Sequence, residues 1–245
     1  MGGTRGRSKK RAANTDDMWN SKSKKKSHAA ALEGTAEKLF QELLDGAAEQ
    51  QPEEEIDTEQ LNMEGIAMLG EKLGLDVETD LRIIVLLWKT GASKPGTLTK
   101  TEFMEACKNG TLPIENGWSS VKEMLPRLDI GFLTGNEFKD FYKFCFQFNR
   151  QGTHKTLDKE LVVALLPMVL KDRVPSDRLE SFCDFLTSME GKQEQQYNRI
   201  TLDQWASFWD FCVECEDLGA YDQSSSAWPV LIDEYVEYME EKLKK

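Results

Sequence analysis

At 245 residues, with 40% apolar and 30% charged side chains, the chain has material for one large domain or two small ones with a sizeable core. No stretch approaches the roughly 18 uninterrupted apolar residues of a membrane span and the N-terminus lacks a secretory apolar segment, so the expectation is a protein kept inside the cell and off the membrane. The net charge of -12 is uneven: residues 1–26 carry nine Lys/Arg against two Asp and sum to +7, while the other 22 bases and 41 acids sum to -19, and such an acidic body excludes phosphate-reading nucleic-acid binding and suits a basic protein surface.

The first segment, residues 1–34, is polar, basic and nearly free of aliphatic side chains, so it is expected to remain a disordered tail. Within it Lys9, Lys10 and Arg11 precede a ten-residue spacer and then Lys22, Lys24, Lys25 and Lys26. That is the spacing of a bipartite nuclear import signal read by an import receptor; a solubilising or RNA-touching tail is the alternative. Gly2 invites N-myristoylation, but Gly6 stands where that signal needs Ser or Thr.

From about Thr35 to Lys245 the pattern is helical, with no sustained strand alternation. Leu39, Phe40, Leu43 and Leu44 form one stripe, and 62–74, 79–90, 118–128, 136–149 and 175–189 show similar spacing. Pro52, the 93–96 "SKPG", Pro113, the 150–154 "RQGTH", Pro175 and the serines at 224–226 separate them, which predicts an all-α fold of roughly ten helices. "LTKTEF" at 98–103 and "ITLDQW" at 200–205 each offer a Thr N-cap with Glu102 or Gln204 three residues on, the capping-box arrangement, and "LDKELV" at 157–162 is a looser copy with Asp158 as cap.

An apolar residue before a capped helix, after a Gly-containing loop, is the pattern of an EF-hand-like helix–loop–helix. Aligning Gly96 to the loop glycine puts Glu102 at the last ligand position, but Gly91, Ser93 and Pro95 at positions that need oxygen ligands. A calcium sensor is therefore the lesser alternative to degenerate, metal-free loops, and no cofactor is implied. Catalytic chemistry is equally thin. His28 lies in the tail and His154 in a loop, "CVEC" at 212–215 lacks two further zinc ligands, and the five cysteines read as packed thiols of a reducing compartment. At the C-terminus Trp228, Leu231, Ile232, Tyr235 and Tyr238/Met239 fall at helical spacing to pack inward, while Asp233, Glu234, Glu237, Glu240 and Glu241 face other directions.

"LLWK" at 86–89, "TKTEFMEA" at 99–106, "FKDFYKFCFQF" at 138–148, "LDQWASFWDF" at 202–211 and "YDQSSSAWPVLIDEYVEY" at 221–238 resemble, in this order, the potentiating-neddylation domain of the defective-in-cullin-neddylation (DCUN) proteins. The resemblance covers about 35–240 and implies an all-α domain with metal-free EF-hand-like motifs, preceded here by a short tail as in the nuclear branch of the family. It implies a non-catalytic co-ligase that binds the C-terminal region of a cullin in its cullin–RING ligase complex, together with an E2 charged with the modifier Nedd/Rub, whose thiol does the chemistry. The family's cullin-binding patch falls on Asp203, Ala227 and Asp233. Its hydrophobic pocket for the acetylated N-terminus of the E2 falls on Ile66, Ile83, Leu86, Leu98 and Phe148, with Leu165 and Met168 at the rim. Plain core is the alternative for the pocket, and Thr90, Pro95, Leu98 and Leu165 depart from the aromatic or amide side chains often found there. The location expected is the nucleus, with some cytoplasmic protein.

Overall fold

A computed structural model describes residues 15–53, 56–189, 197–222 and 227–244, with side chains from residue 28 onward, Ala220 excepted. Helix α1 spans Thr15–Gln50, so residues 15–34, expected to be a tail, are the first turns of a helix. Alanines at 29–31 and the lysines before them are good helix formers, and the packed stripe that follows nucleates the helix they extend. Lys22, Lys24, Lys25 and Lys26 fall on this helix, whereas Lys9, Lys10 and Arg11 lie outside the described residues.

The stripe of α1 is buried as its spacing requires: Leu39, Phe40, Leu43 and Leu44 are joined by Ala36 and Ala47. This face packs on α2 (Met63–Leu73) and α4 (Lys100–Lys108), with the Phe40 and Phe103 rings 5.4 Å apart. Asn62 caps α2 by accepting the Gly65 N–H, and Gly74, at φ 74°, ends it in a left-handed turn that glycine enters without strain. Helix α3 (Arg82–Thr90) packs on α4. Strands β1 (Gln60–Leu61) and β2 (Leu98–Thr99) form a short antiparallel ladder that pairs the loops before α2 and α4.

Glu102 closes the loop before α4. Its Oε1 accepts the Ser93 N–H and hydroxyl, and its Oε2 accepts the Thr99 N–H, while the Thr99 hydroxyl accepts the Glu102 N–H. The carboxylate at the last ligand position of the calcium alignment thus holds its own loop. The sequence expects one helix over 118–128; instead α5 (Trp118–Met124) tightens into a 3₁₀ turn, Leu125–Leu128. Pro126 has no N–H to give to the Lys122 carbonyl, so the i→i−4 ladder stops there.

Helix α6 (Gly135–Phe148) joins the two halves, touching α3 on one side and α9 (Leu202–Glu214) on the other. Glu137 accepts both the N–H and the hydroxyl of Thr134 at its start. Tyr142 and Trp205 stack at 4.6 Å and exchange hydrogen bonds: the Tyr142 hydroxyl donates to the Trp205 carbonyl, and Trp205 Nε1 to the Tyr142 carbonyl. Both rings are essentially fully buried, so each polar tip is satisfied where water cannot reach.

A second ladder, β3 (Thr156–Asp158) with β4 (Arg199–Thr201), pairs the loops before α7 (Lys159–Val169) and α9. Asp158 stands at the N-terminus of α7 but makes no capping bond; its carboxylate pairs with Arg199 at 2.9 Å, which also approaches His154 Nδ1. The cross-strand cation outcompetes the cap that the sequence suggests. Pro167 within α7 leaves the Val163 carbonyl without its helical donor, and the Cys183 thiol of α8 (Ser176–Ser188) points at it from 3.8 Å. The last helix, α10 (Val230–Leu243), packs on α8 and α9.

All five cysteines are free; Cys107 and Cys145 are buried, and Cys183, Cys212 and Cys215 are half-buried. Burial pushes the Cys107 thiol up to about 12 and that of Cys183 to about 11. Among the described residues no helix is long and apolar enough to cross a membrane.

Candidate functional site

The candidate face is built on the starts of α9 and α10. Thr201 and Gln204 cap α9 reciprocally, and this fixes Asp203 in its exposed first turn. A carboxylate there also complements the helix dipole, whatever else it does. Helix α10 begins after Pro229, whose fixed φ suits entry into a helix, and carries Asp233 in its first turn. Leu231, Ile232, Tyr235 and Val236 are buried beneath it, and Trp228, Tyr238 and Met239 are half-buried against the core. Val236 belongs to the stripe that the sequence assigns to its neighbours.

What anchors this end is Phe211, which is fully buried and meets three rings edge-on. Tyr221 lies at 5.6 Å, Trp228 at 5.8 Å and Tyr235 at 6.4 Å, all at steep angles. Arg178 of α8 reaches across and donates to the carbonyls of Cys215 and Glu216, where α9 has run out of internal donors. Tyr235 meets the Ser181 hydroxyl at 2.7 Å; Ser181 gives its own proton to the Arg178 carbonyl, so the tyrosine is the donor.

On this support Ala227 is exposed, one residue before Trp228, and Asp233 is half-buried and accepts the Tyr221 hydroxyl at 2.5 Å. Glu234 departs from the outward placement expected of it: its Oε2 is buried and has no hydrogen-bond partner among the described residues. Its neighbour is Tyr197, whose phenol is pushed up first by burial and then by its hydrogen bond to Glu234 and the nearby Asp233. Tyr197 lies four residues before the Thr201 cap of α9, so it links the chain entering that helix to the start of α10. The structure thus brings Ala227 and Asp233 onto one helix start and Asp203 onto the start of the helix packed beside it. Sequence reading missed Tyr221, Glu234 and Arg178. Tyr221 lies in the quoted 221–238 block, but nothing local says which carboxylate its hydroxyl will meet.

The seven pocket residues divide. Ile66, Ile83, Leu86, Leu98 and Phe148 are each at most 3% exposed and belong to the continuous core, while Leu165 and Met168 are half-buried on α7. Phe148 stacks on Phe144 at 5.2 Å, and its carbonyl accepts the Gly96 N–H. Among the described residues, cavities lie elsewhere: one of about 330 Å³ between α1 and α4, lined by Leu32, Ala36, Met104 and Cys107, and another of about 830 Å³ beside α7 and α8, lined by Val163, Pro167, Leu179 and Cys183. Among the described residues no three His, Cys, Asp or Glu side chains cluster as a metal site would need.

Comparison with known proteins bears on the same region. The family model described as cullin binding matches residues 120–238, which include Asp203, Ala227 and Asp233. The chain is 31% identical over 184 residues to DCN1-like protein 3 of Xenopus laevis, covering 74% of this chain and 57% of that protein. To the human DCN1-like protein 3 it is 29% identical over 185 residues, covering 74% and 58%. To Defective in cullin neddylation protein 1 of Caenorhabditis elegans it is 27% identical over 225 residues, covering 84% and 71%. The chain therefore spans rather more than half the length of the DCN1-like protein 3 relatives. The domain match, which spans the Phe211-anchored face, and these relatives together place the chain: it belongs to the DCN1-like, defective-in-cullin-neddylation family.

Proposed function

We propose that this chain is a scaffold-type co-ligase that promotes cullin neddylation by holding the cullin and the charged E2 together, without a catalytic group of its own. The observation that carries this reading is the acidic start of α10, where Asp233, held by Tyr221, follows the exposed Ala227 by six residues within the span matched by the cullin-binding family. Asp203 and Asp233 can accept hydrogen bonds from Lys or Arg of the cullin C-terminal region, and the small Ala227 lets a partner backbone approach closely. The gain is proximity: two tethered reactants meet at a far higher effective concentration than free ones, so the E2 thioester reaches the cullin lysine in a near-intramolecular transfer.

The E2 would contribute its acetylated N-terminus to the apolar cluster of Ile66, Ile83, Leu86, Leu98 and Phe148, with Leu165 and Met168 at its edge. A second reading, an adaptor that binds cullins without promoting transfer, is favoured by one observation: five of these side chains are at most 3% exposed, so an entering methionine has to displace them. Nuclear import through the basic residues at 9–11 and 22–26 is part of the proposal and rests on their charge and spacing alone. The loops paired by the two ladders are read as degenerate EF-hands, supported by the use of Glu102 in closing its own loop.

The test is the rate of modifier transfer from a charged E2 to a purified cullin–RING complex, with the wild-type chain and with Asp203→Lys/Asp233→Lys. Acceleration by the wild type alone is expected. Cullin binding without acceleration would leave the adaptor, and no cullin binding at all would refute both readings.

A further inference from the structure

Tyr221 touches both the Phe211 anchor and the docking carboxylate of Asp233. It follows the 3₁₀ turn Leu218–Ala220 in the connection between α9 and α10. Its ring stands edge-on to Phe211 at 84°, and its hydroxyl reaches Asp233 Oδ1 across twelve residues of sequence. Burial, and then the bond to Asp233, raise the phenol, so it keeps the proton that it donates to Asp233. A carboxylate has a second oxygen and further lone pairs, so one donated bond on Oδ1 leaves it able to accept from a partner cation. A surface aspartate that rotates freely loses that freedom when it docks, whereas one already pinned has less to lose.

We propose that Tyr221 is a positioning residue for partner docking, fixing the Asp233 side chain so that the acidic face is preformed. The inference rests on the cullin-binding reading above, and the experiment separates the two. Calorimetric titrations of a purified cullin C-terminal region into the full chain compare wild type, Tyr221→Phe, Asp233→Ala and the double variant. Tyr221→Phe keeps the ring against Phe211 and removes only the hydroxyl. It is expected to weaken binding about three- to tenfold, in line with the freedom lost by one immobilised side chain, and to have no further effect once Asp233 is gone. A merely structural tyrosine would instead lower the melting temperature and weaken binding equally in both backgrounds.

Wild-type affinity in Tyr221→Phe, with Asp233→Ala impaired, overturns the positioning role and leaves the docking reading standing. Wild-type affinity in Asp233→Ala overturns the acidic docking face and the role of Tyr221 with it. Should Tyr221→Phe lose its fold, the exchange rate of the Tyr221 hydroxyl proton, measured by NMR in wild type and in Asp233→Ala, decides the matter. Slow exchange that accelerates in the variant supports the pinned pair; equal rates overturn it.

Discussion

Truncating Phe211 to alanine removes the ring on which Tyr221, Trp228 and Tyr235 converge, and the magnitude follows from that geometry. Core Phe→Ala changes cost about 3–5 kcal/mol through lost burial and the cavity left behind. Edge-on ring pairs contribute about 0.5–1.5 kcal/mol each beyond their area, and three of them place this site near the upper end, at about 4–5 kcal/mol. For a domain whose whole stability lies at about 5–15 kcal/mol, that is a large fraction, equivalent to a melting temperature lower by about 8–20 °C at this chain length. Phe211→Leu retains an apolar filler but loses the three ring pairs, and is expected to cost about 2–3 kcal/mol, less than alanine. The assay is urea unfolding followed by circular dichroism, with the slope against urea checked for constancy so that a midpoint shift reports stability alone. A loss below about 2 kcal/mol in Phe211→Ala, with the slope unchanged, would refute the view that this ring anchors the α10 face.

Ser181→Ala leaves the hydroxyl of the fully buried Tyr235 without its 2.7 Å partner and is expected to cost about 1–3 kcal/mol in the same assay. Adding Tyr235→Phe removes the stranded donor and is expected to recover much of that loss. Burial alone would raise the Glu102 carboxyl, but the hydrogen bonds from Ser93 and Thr99 outweigh it and hold the group below its ordinary 4.5. Its stabilising contribution is therefore complete above pH 4.5 and is lost as the pH falls through the lowered folded value. Glu102→Gln is expected to cost about 1 kcal/mol at neutral pH, solvent screening keeping it small, and to flatten the acid limb of a stability-versus-pH curve. An acid limb as steep as that of the wild type would contradict the role assigned to the carboxylate.

The helices were legible because their causes are local. A stripe at Leu39, Phe40, Leu43 and Leu44 can be buried only by a helix, and Thr99 with Glu102 satisfies backbone donors three residues apart whatever surrounds them. Helix ends were read less well where local rules compete. Asp158 offers a cap, and Arg199, 41 residues along the chain, takes its carboxylate. The lysines before Ala29 suggest a solvated tail, and the helix that starts downstream extends back through them to Thr15. Among the site residues, Asp203, Ala227 and Asp233 were reached through a family resemblance carried by the blocks around them. Nothing in their own spacing distinguishes them from solvated surface.

The sequence by itself determined that the body is acidic, that it folds into helices broken at its prolines and glycine loops, and which faces of those helices are apolar. Each of these depends on composition or on neighbours within about one helical turn. Only the tertiary structure decided that Tyr221 meets Asp233, that Arg178 holds the carbonyls at 215 and 216, that Glu234 turns its Oε2 inward, and that the apolar cluster around Leu98 and Phe148 is closed into the core. Periodicity tells which way a side chain faces on its own helix, but a partner from another helix is set by how the helices cross. That crossing is fixed by the packing of the whole core.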